Sequence, residues 1–470
     1  MSENQVSTAH PYMANSVAGI KQAMLDAIGA GSIEELFAQI PAAHRMKRPL
    51  ALPKGMRSEA ELRRHLVGLL AKNQTCEANL SFLGAGCWQH HVPAACEEVV
   101  RRRELLTSVF GSPASDHGRN QAWFEFTSQL GELVDCDLVG LPVYSWGAAA
   151  GHAIRMAERL TGRRRVLVPR NIDPERLGVI RTMAEPVEMP HHIEVVELAW
   201  DEATGGIGMA ALDAALSDEV AAVYLEVPAY LGGIEPNAAA IARKAKAKGA
   251  MVIVGVDPIS LGIVAPPGAY GADIVVGTLQ TLGIPMNCGG GVGGFIASRD
   301  EERIAREYPT LFASIAETVQ PGERGFALSL FHQSSYGSRE KGKDWTGNSV
   351  YLWGIANAVY MGLMGPEGFR EVGGLIIARA HYAAQRLARV PGVAVKWPKG
   401  FFKEFVVDFA GTGKTVAGIN AALRAHGIFG GKDLSADFPE LGQAALYCVT
   451  EIHNQADIDR LAEALEEVVR

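Results

Sequence analysis

The sequence predicts an α/β protein built on a large, mostly parallel sheet, and two features of the residue pattern carry that prediction. Between residues 75 and 330, short β-branched runs alternate with longer helix-like stretches. The runs are apolar along their length, as strands covered by helices on both faces require.

Taken in order, the chain opens with an N-terminal region, residues 1–74, that reads as a helical arm wrapped around a body. SVAGIKQAMLDAIG, SIEELFAQ and SEAELRRHLVGLLAKN have helical patterning and are separated by proline-rich joints. Ser32 and Ser58 stand as N-caps, each with glutamate in the following turn, where a carboxylate meets the positive end of the helix dipole. In the second region, 75–330, the expected strands are RVLVP (Arg165 to Pro169), HIEVVEL, VAAVYLEVP, MVIVGV (Met251 to Val256), DIVVG and VGGFIAS. DPERLGVIRTMA, GMAALDAALS and NAAAIARKAKAKG are the helices between them. In such sheets ligands bind at the carboxyl ends of the strands. A third region, 331–470, reads as a smaller α/β domain. A long helix from about Gly365 leads to strands EFVVDF and ALYCVT, with helices in KTVAGINAALRAHG and ADIDRLAEALEEVV.

Composition narrows the function classes. With 48% hydrophobic residues, 20% charged residues and a net charge of −8, the chain has the core of a globular protein and no basic field for nucleic acid. The arginine runs at 101–103 and 163–165 are short solvated faces. Six cysteines include no CxxC pair and no histidines at finger-like spacing, so the sequence predicts reduced, mostly buried thiols and no structural zinc. No apolar window is long enough to span a bilayer, and the N-terminus has no basic or apolar leader pattern, which makes the cytoplasm the expected location.

The segment MVIVGVDPISLG, followed by GADIVVGTLQTLGIPMNCGGGVGGF, speaks most directly to chemistry. An apolar strand ends in Asp257. In pyridoxal-phosphate (PLP) enzymes of the aminotransferase fold such an aspartate pairs with the pyridine nitrogen, and a lysine about twenty to thirty residues later carries the cofactor. Here Gln280 stands twenty-three residues after Asp257, and an amide nitrogen cannot form an imine. The plain alternative is an aspartate that ends a strand before a proline turn. Gly289, Gly290, Gly291, Gly293 and Gly294 would let backbone N–H groups approach a phosphate, or form a tight loop before a strand. DFAGTGKT lacks the first glycine of a nucleotide P-loop, because Asp408 stands there, and reads as a turn and helix start. Tyr144 to Leu160 has a small-residue turn entering a helix, an anion-binding geometry as well as an ordinary buried helix. His90, His91, His191 and His192 have no acid at ligand spacing and read as surface or packing residues.

Together these motifs resemble one family: subunit 1 of glycine dehydrogenase (decarboxylating), the P-protein of the glycine cleavage system where it is split in two. The stretches that carry the resemblance are AIGAGSIEELFAQIP with MKRPLALP, FLGAGCWQHHVPA, DPISLGIVAPPGAYGADIVVGTLQTLGIP, GFALSLF, REK at Arg339 to Lys341, GPEGFREV with AHYAAQRL, FFKEFVVDF, and HGIFGGKDLSADFPELGQAALYCVTE. They run in order from about residue 26 to the C-terminus.

The resemblance implies the PLP-dependent transferase fold (aminotransferase fold type I) and a division of labour. Subunit 2 would carry the PLP lysine, and this chain, with Gln280 instead, would pack against it within a heterotetramer and be inactive alone. The assembly would decarboxylate glycine and pass an aminomethyl group to the lipoyl H-protein, with no nucleic acid or membrane involved. By position, Phe110, His117, Thr346 and Asn348 become loop residues reaching a shared pocket, Thr346 and Asn348 with Gly289 to Gly291 on the cofactor side and Phe110 and His117 on the substrate side. Asp257 serves as the fold's marker, and no metal is implied. The sequence also departs from the family. SVFGSPASDHGRNQAWFEF lacks the family's loop tyrosines, GKDWTGNS brings Trp345 and two extra charges, and Trp146 stands where an acidic residue is usual. These departures leave open a related subunit acting on another small amino compound, and a non-catalytic scaffold that kept the fold.

Overall fold

The computed structural model describes residues 10, 12–48, 50–105, 113–189, 191–287, 293–329, 338–346 and 349–470. Two compact units result, residues 1–74 and 75–470. The first holds helices Ala18–Ala27, Ile33–Leu36 and Glu59–Leu70. Ser58 caps the last of these by accepting from the Glu61 N–H at 3.4 Å. Ser32 occupies the N-cap position of Ile33–Leu36, but its hydroxyl makes no cap bond. That corrects the sequence expectation: in a helix of a single turn, the Glu35 carboxylate folds back and accepts from the Gly31 N–H at 2.9 Å.

The second unit centres on a seven-stranded sheet in the order Leu138–Val139, Gly294–Ser298, Ile274–Thr278, Met251–Val256, Val220–Glu226, Arg165–Pro169, Glu194–Leu198. The last five strands run parallel, while Gly294–Ser298 pairs antiparallel with both of its neighbours. Period-2 alternation explains why the strands are apolar throughout. Val252, Val254 and Val256 enter one hydrophobic core and Met251 and Ile253 enter another on the opposite face. The second core receives Ala149, Ala150, Ala153 and Ile154 of helix Trp146–Thr161, whose small residues let it lie close to the sheet.

A four-stranded antiparallel sheet follows, in the order Ala394–Lys396, Glu404–Asp408, Ala444–Cys448, Lys432–Asp433. Helices Val416–Ala425 and Gln455–Val469 cover it, together with the end of a long helix. That long helix runs Tyr351–Leu387 and so begins well before the expected Gly365. Gly365 instead marks an internal break with φ 56° and ψ 178°, directly ahead of Pro366, whose missing N–H and fixed ring interrupt the ladder. The turn at Ala410–Thr412 leads to Thr415, which caps Val416–Ala425 by accepting from the Gly418 N–H at 3.2 Å. Among the described residues no helix is long and apolar enough to cross a membrane, no group of acids, histidines and cysteines could hold a metal, and five cysteines are free, three of them buried.

Candidate functional site

Strands Met251–Val256 and Ile274–Thr278 are parallel neighbours. Asp257 and Gln280 therefore emerge at the same carboxyl edge of the sheet, 3% and 1% exposed, where ligands of such sheets bind. Asp257 caps the following turn, its Oδ1 accepting from the Ile259 N–H at 3.3 Å. Its Oδ2 lies 2.7 Å from the Lys403 Nζ. Lys403 stands at the entrance to strand Glu404–Asp408 of the other sheet.

Gln280 is fully committed to the main chain. Its Oε1 accepts from the Trp88 N–H at 3.1 Å, and its Nε2 donates to the carbonyls of Trp88 at 2.9 Å and Ile284 at 3.1 Å. The clasp fixes Trp88, whose ring centre lies 3.6 Å from the Lys403 Nζ, within cation–π range. On another side of the ammonium, His90 Nε2 stands 3.2 Å away, while His90 Nδ1 meets Glu451 Oε2 at 2.7 Å. His90 is thus part of a buried charge network, not a lone packing residue as the sequence suggested. Its acid lies 361 positions further along the chain, beyond any local spacing rule. His191 likewise meets Glu158, at 3.0 Å.

A second ion pair flanks the first. Arg176, 5% exposed, donates to Glu226 Oε1 at 2.6 Å and stacks on Trp146 with its guanidinium carbon 3.7 Å from the ring centre. The Tyr224 hydroxyl donates to the same Glu226 oxygen at 2.6 Å. Glu404 accepts from the Ala85 N–H at 2.6 Å. Burial pushes its carboxyl up to about 7, against the downward pull of Lys403 and of the hydrogen bond from Ala85.

These side chains leave a cavity of about 20 Å³ lined by Trp88, Trp146, Arg176, Glu226, Asp257 and Lys403, room for about one water. The residues do not fit PLP. Gln280 carries an amide, which forms no imine, Asp257 already has a cation, and a pyridine ring has no space. A neighbouring cleft of about 190 Å³ opens at the start of helix Trp146–Thr161. Ser145 caps that helix itself, accepting from the Ala148 N–H at 3.1 Å. Asp173, Glu175 and Arg176 line the cleft; with Arg176 already paired to Glu226, the two carboxylates oppose a phosphate.

Of the other expected site residues, Thr346 is 7% exposed and tied down on three sides. Its N–H donates to the Pro309 carbonyl at 2.8 Å, its carbonyl accepts from the Tyr144 hydroxyl at 3.1 Å, and its Oγ1 lies 3.2 Å from His152 Nε2. Burial pushes His152 down to about 4, so it is neutral at physiological pH. Asp344, one of the unexpected charges, accepts from Arg155 at 2.6 Å and Arg159 at 2.7 Å. Phe110, Asn348 and Gly289 to Gly291 lie outside the described residues. His117 belongs to helix Pro113–Val134, and its side chain too is outside the description.

Comparison with known proteins decides the family. The family model for the glycine cleavage system P-protein matches residues 12–465. The chain belongs to the glycine cleavage system P-protein family. Within it, this chain is 36% identical over 97% of its length to a probable glycine dehydrogenase (decarboxylating) subunit 1 of Desulfitobacterium hafniense, covering 99% of that protein. A probable subunit 1 of Saccharolobus solfataricus is 35% identical, with 98% of each chain covered. A crystal structure of glycine decarboxylase (P-protein) in inhibitor-bound form superposes with a TM-score of 0.86 at 32% identity, over 98% of this chain and 100% of that one. A Burkholderia pseudomallei sphingosine-1-phosphate lyase, at TM-score 0.64 and 16% identity over 92% of this chain and 94% of that one, shares the fold alone. The fold is that of PLP-dependent enzymes of fold type I.

Sequence reasoning missed Lys403, Trp88, His90 and Arg176. The available signal was FFKEFVVDF, where a lysine and a glutamate interrupt an otherwise apolar strand entry. Charges flanked by such residues are buried only when paired. The clasp also predicts that Gln280→Lys does not create a cofactor site. The variant loses the acceptor for the Trp88 N–H and ties its buried ammonium to the Trp88 and Ile284 carbonyls. With added PLP and borohydride it is expected to remain free of phosphopyridoxyl adduct by mass spectrometry, and to unfold at a lower temperature than the parent.

Proposed function

We propose that this chain is the lysine-less subunit of a two-subunit, PLP-dependent glycine decarboxylase, the P-protein of a glycine cleavage system. In this reading PLP is held covalently by a lysine of the second subunit, and the aminomethyl group left after decarboxylation passes to the lipoyl H-protein. One observation supports it: Gln280, read from its spacing after Asp257 as the cofactor-lysine position, is an amide locked by three hydrogen bonds. The subunit-1 names of its relatives support a second subunit. Phe110, His117, Thr346 and Asn348, with Gly289 to Gly291, are the residues proposed to reach the shared pocket in a cytoplasmic heterotetramer.

The test is expression of the chain alone and with a second chain of the same fold that bears a lysine at the Gln280 position. Glycine-dependent release of carbon dioxide in the presence of lipoyl H-protein, and a borohydride-reducible PLP adduct confined to the partner, are expected only for the pair. An adduct on one of this chain's own lysines contradicts the proposal. A second reading, another small amine as substrate, is favoured by the Asp344 anchor in the segment that departs from the family. A panel of amino acids offered to the same pair decides between the two. A pair that assembles and turns over none of them supports the scaffold reading.

A further inference from the structure

Lys403 and Asp257 belong to different sheets. Asp257 ends Met251–Val256 of the seven-stranded sheet, and Lys403 precedes Glu404–Asp408 of the four-stranded one. Both side chains are 4% exposed at their 2.7 Å contact. The main chain closes the same seam. The Phe402 N–H donates to the Gly232 carbonyl at 3.2 Å and the Ile234 N–H to the Gly400 carbonyl at 2.7 Å. Gly232 has φ +93°, and a Cβ there would fall 1.9 Å from the Glu404 carbonyl oxygen, so only glycine permits the approach.

We propose that Lys403 is a built-in replacement for the cofactor. Its ammonium takes the place against Asp257 that a protonated ring nitrogen would take, and pins the two sheets together, so that this chain is closed and stable without PLP. Three arguments converge. A buried carboxylate needs a compensating partner, and for Asp257 the fold supplies a cation from its own chain. The ammonium is bounded by Asp257 Oδ2, His90 Nε2 and the Trp88 ring, which uses the faces a ligand would need. The residues around Asp257 are also mechanically linked. Gln280 clasps the Trp88 main chain, Trp88 cups Lys403, and Lys403 neutralises Asp257. Replacing one of them alone therefore does not create a cofactor site. The inference concerns the chain by itself and stands whether or not the decarboxylase reading holds.

The test is chemical complementation in the full-length chain. Lys403→Ala removes three methylenes and the ammonium beyond Cβ, a volume that propylammonium matches. The variant is expected to unfold about 5 °C below the parent. Propylammonium should recover most of that loss while leaving the parent unmoved, and tetramethylammonium, too bulky for the slot, should recover none. Should Lys403→Ala fail to fold, Lys403→Met provides the second measure. Alone it leaves Asp257 unpaired at nearly unchanged volume and is strongly destabilised. Combined with Asp257→Asn it returns close to the parent midpoint. Equal stability of Lys403→Met and the parent, additive losses in the double variant, or a folded Lys403→Ala that does not respond to propylammonium would overturn the proposal.

Discussion

Arg176→Leu lowers the unfolding midpoint by about 5 °C or more, because it strands a carboxylate in the core. Glu226 has a fully buried side chain and shares one oxygen between Arg176 and the Tyr224 hydroxyl. Removing one partner of a buried pair typically costs about 3–5 kcal/mol, whereas removing both charges at constant volume is often neutral. Arg176→Met combined with Glu226→Gln is therefore expected to recover most of the stability lost by the single variant, since glutamine still accepts from Tyr224. The stacking of Arg176 on Trp146 adds a contribution that methionine partly keeps. A surface pair supplies the control. Lys244 and Asp213 are 42% and 54% exposed, and Lys244→Ala is expected to cost less than about 1 kcal/mol. Thermal unfolding of the three variants reads the contrast, and a double variant no more stable than Arg176→Leu refutes it.

Glu404→Gln stabilises the protein at pH 8 and leaves it nearly unchanged at pH 4. Burial raises the Glu404 carboxyl from 4.5 to about 7 in the folded chain, so between those values the native state binds more protons than the unfolded state. Stability from this group is fully present below pH 4.5 and is lost as pH rises through about 7. At roughly 1.4 kcal/mol per unit, the loss is of the order of 3 kcal/mol. Glutamine keeps an acceptor for the Ala85 N–H and removes the charge. Denaturant midpoints measured from pH 4 to pH 9 should fall across that window in the parent and stay flatter in the variant. Parallel profiles would show that Glu404 does not titrate there.

The Asp257 site was half legible in the sequence. Asp257 and Gln280 stand out because each terminates or follows an apolar strand of a kind that recurs at fixed spacing, and a local pattern needs no knowledge of packing. Lys403, Trp88, His90 and Glu451 converge from positions far apart along the chain, and no periodicity links them. Their pairing follows from the approach of the four-stranded sheet to the strand ends of the seven-stranded one. The cap at Ser32 and the start of the long helix failed for a related reason. A one-turn helix and a glycine–proline break are settled by neighbouring contacts more than by propensity.

The sequence by itself determined the α/β class, most of the strands, the absence of an amine at position 280 and the family. Each of these is written in alternation, in residue chemistry or in contiguous motifs. Only the tertiary structure decided that the pocket is filled. Burying a charge demands a partner, and which partner arrives depends on which surfaces fold against each other.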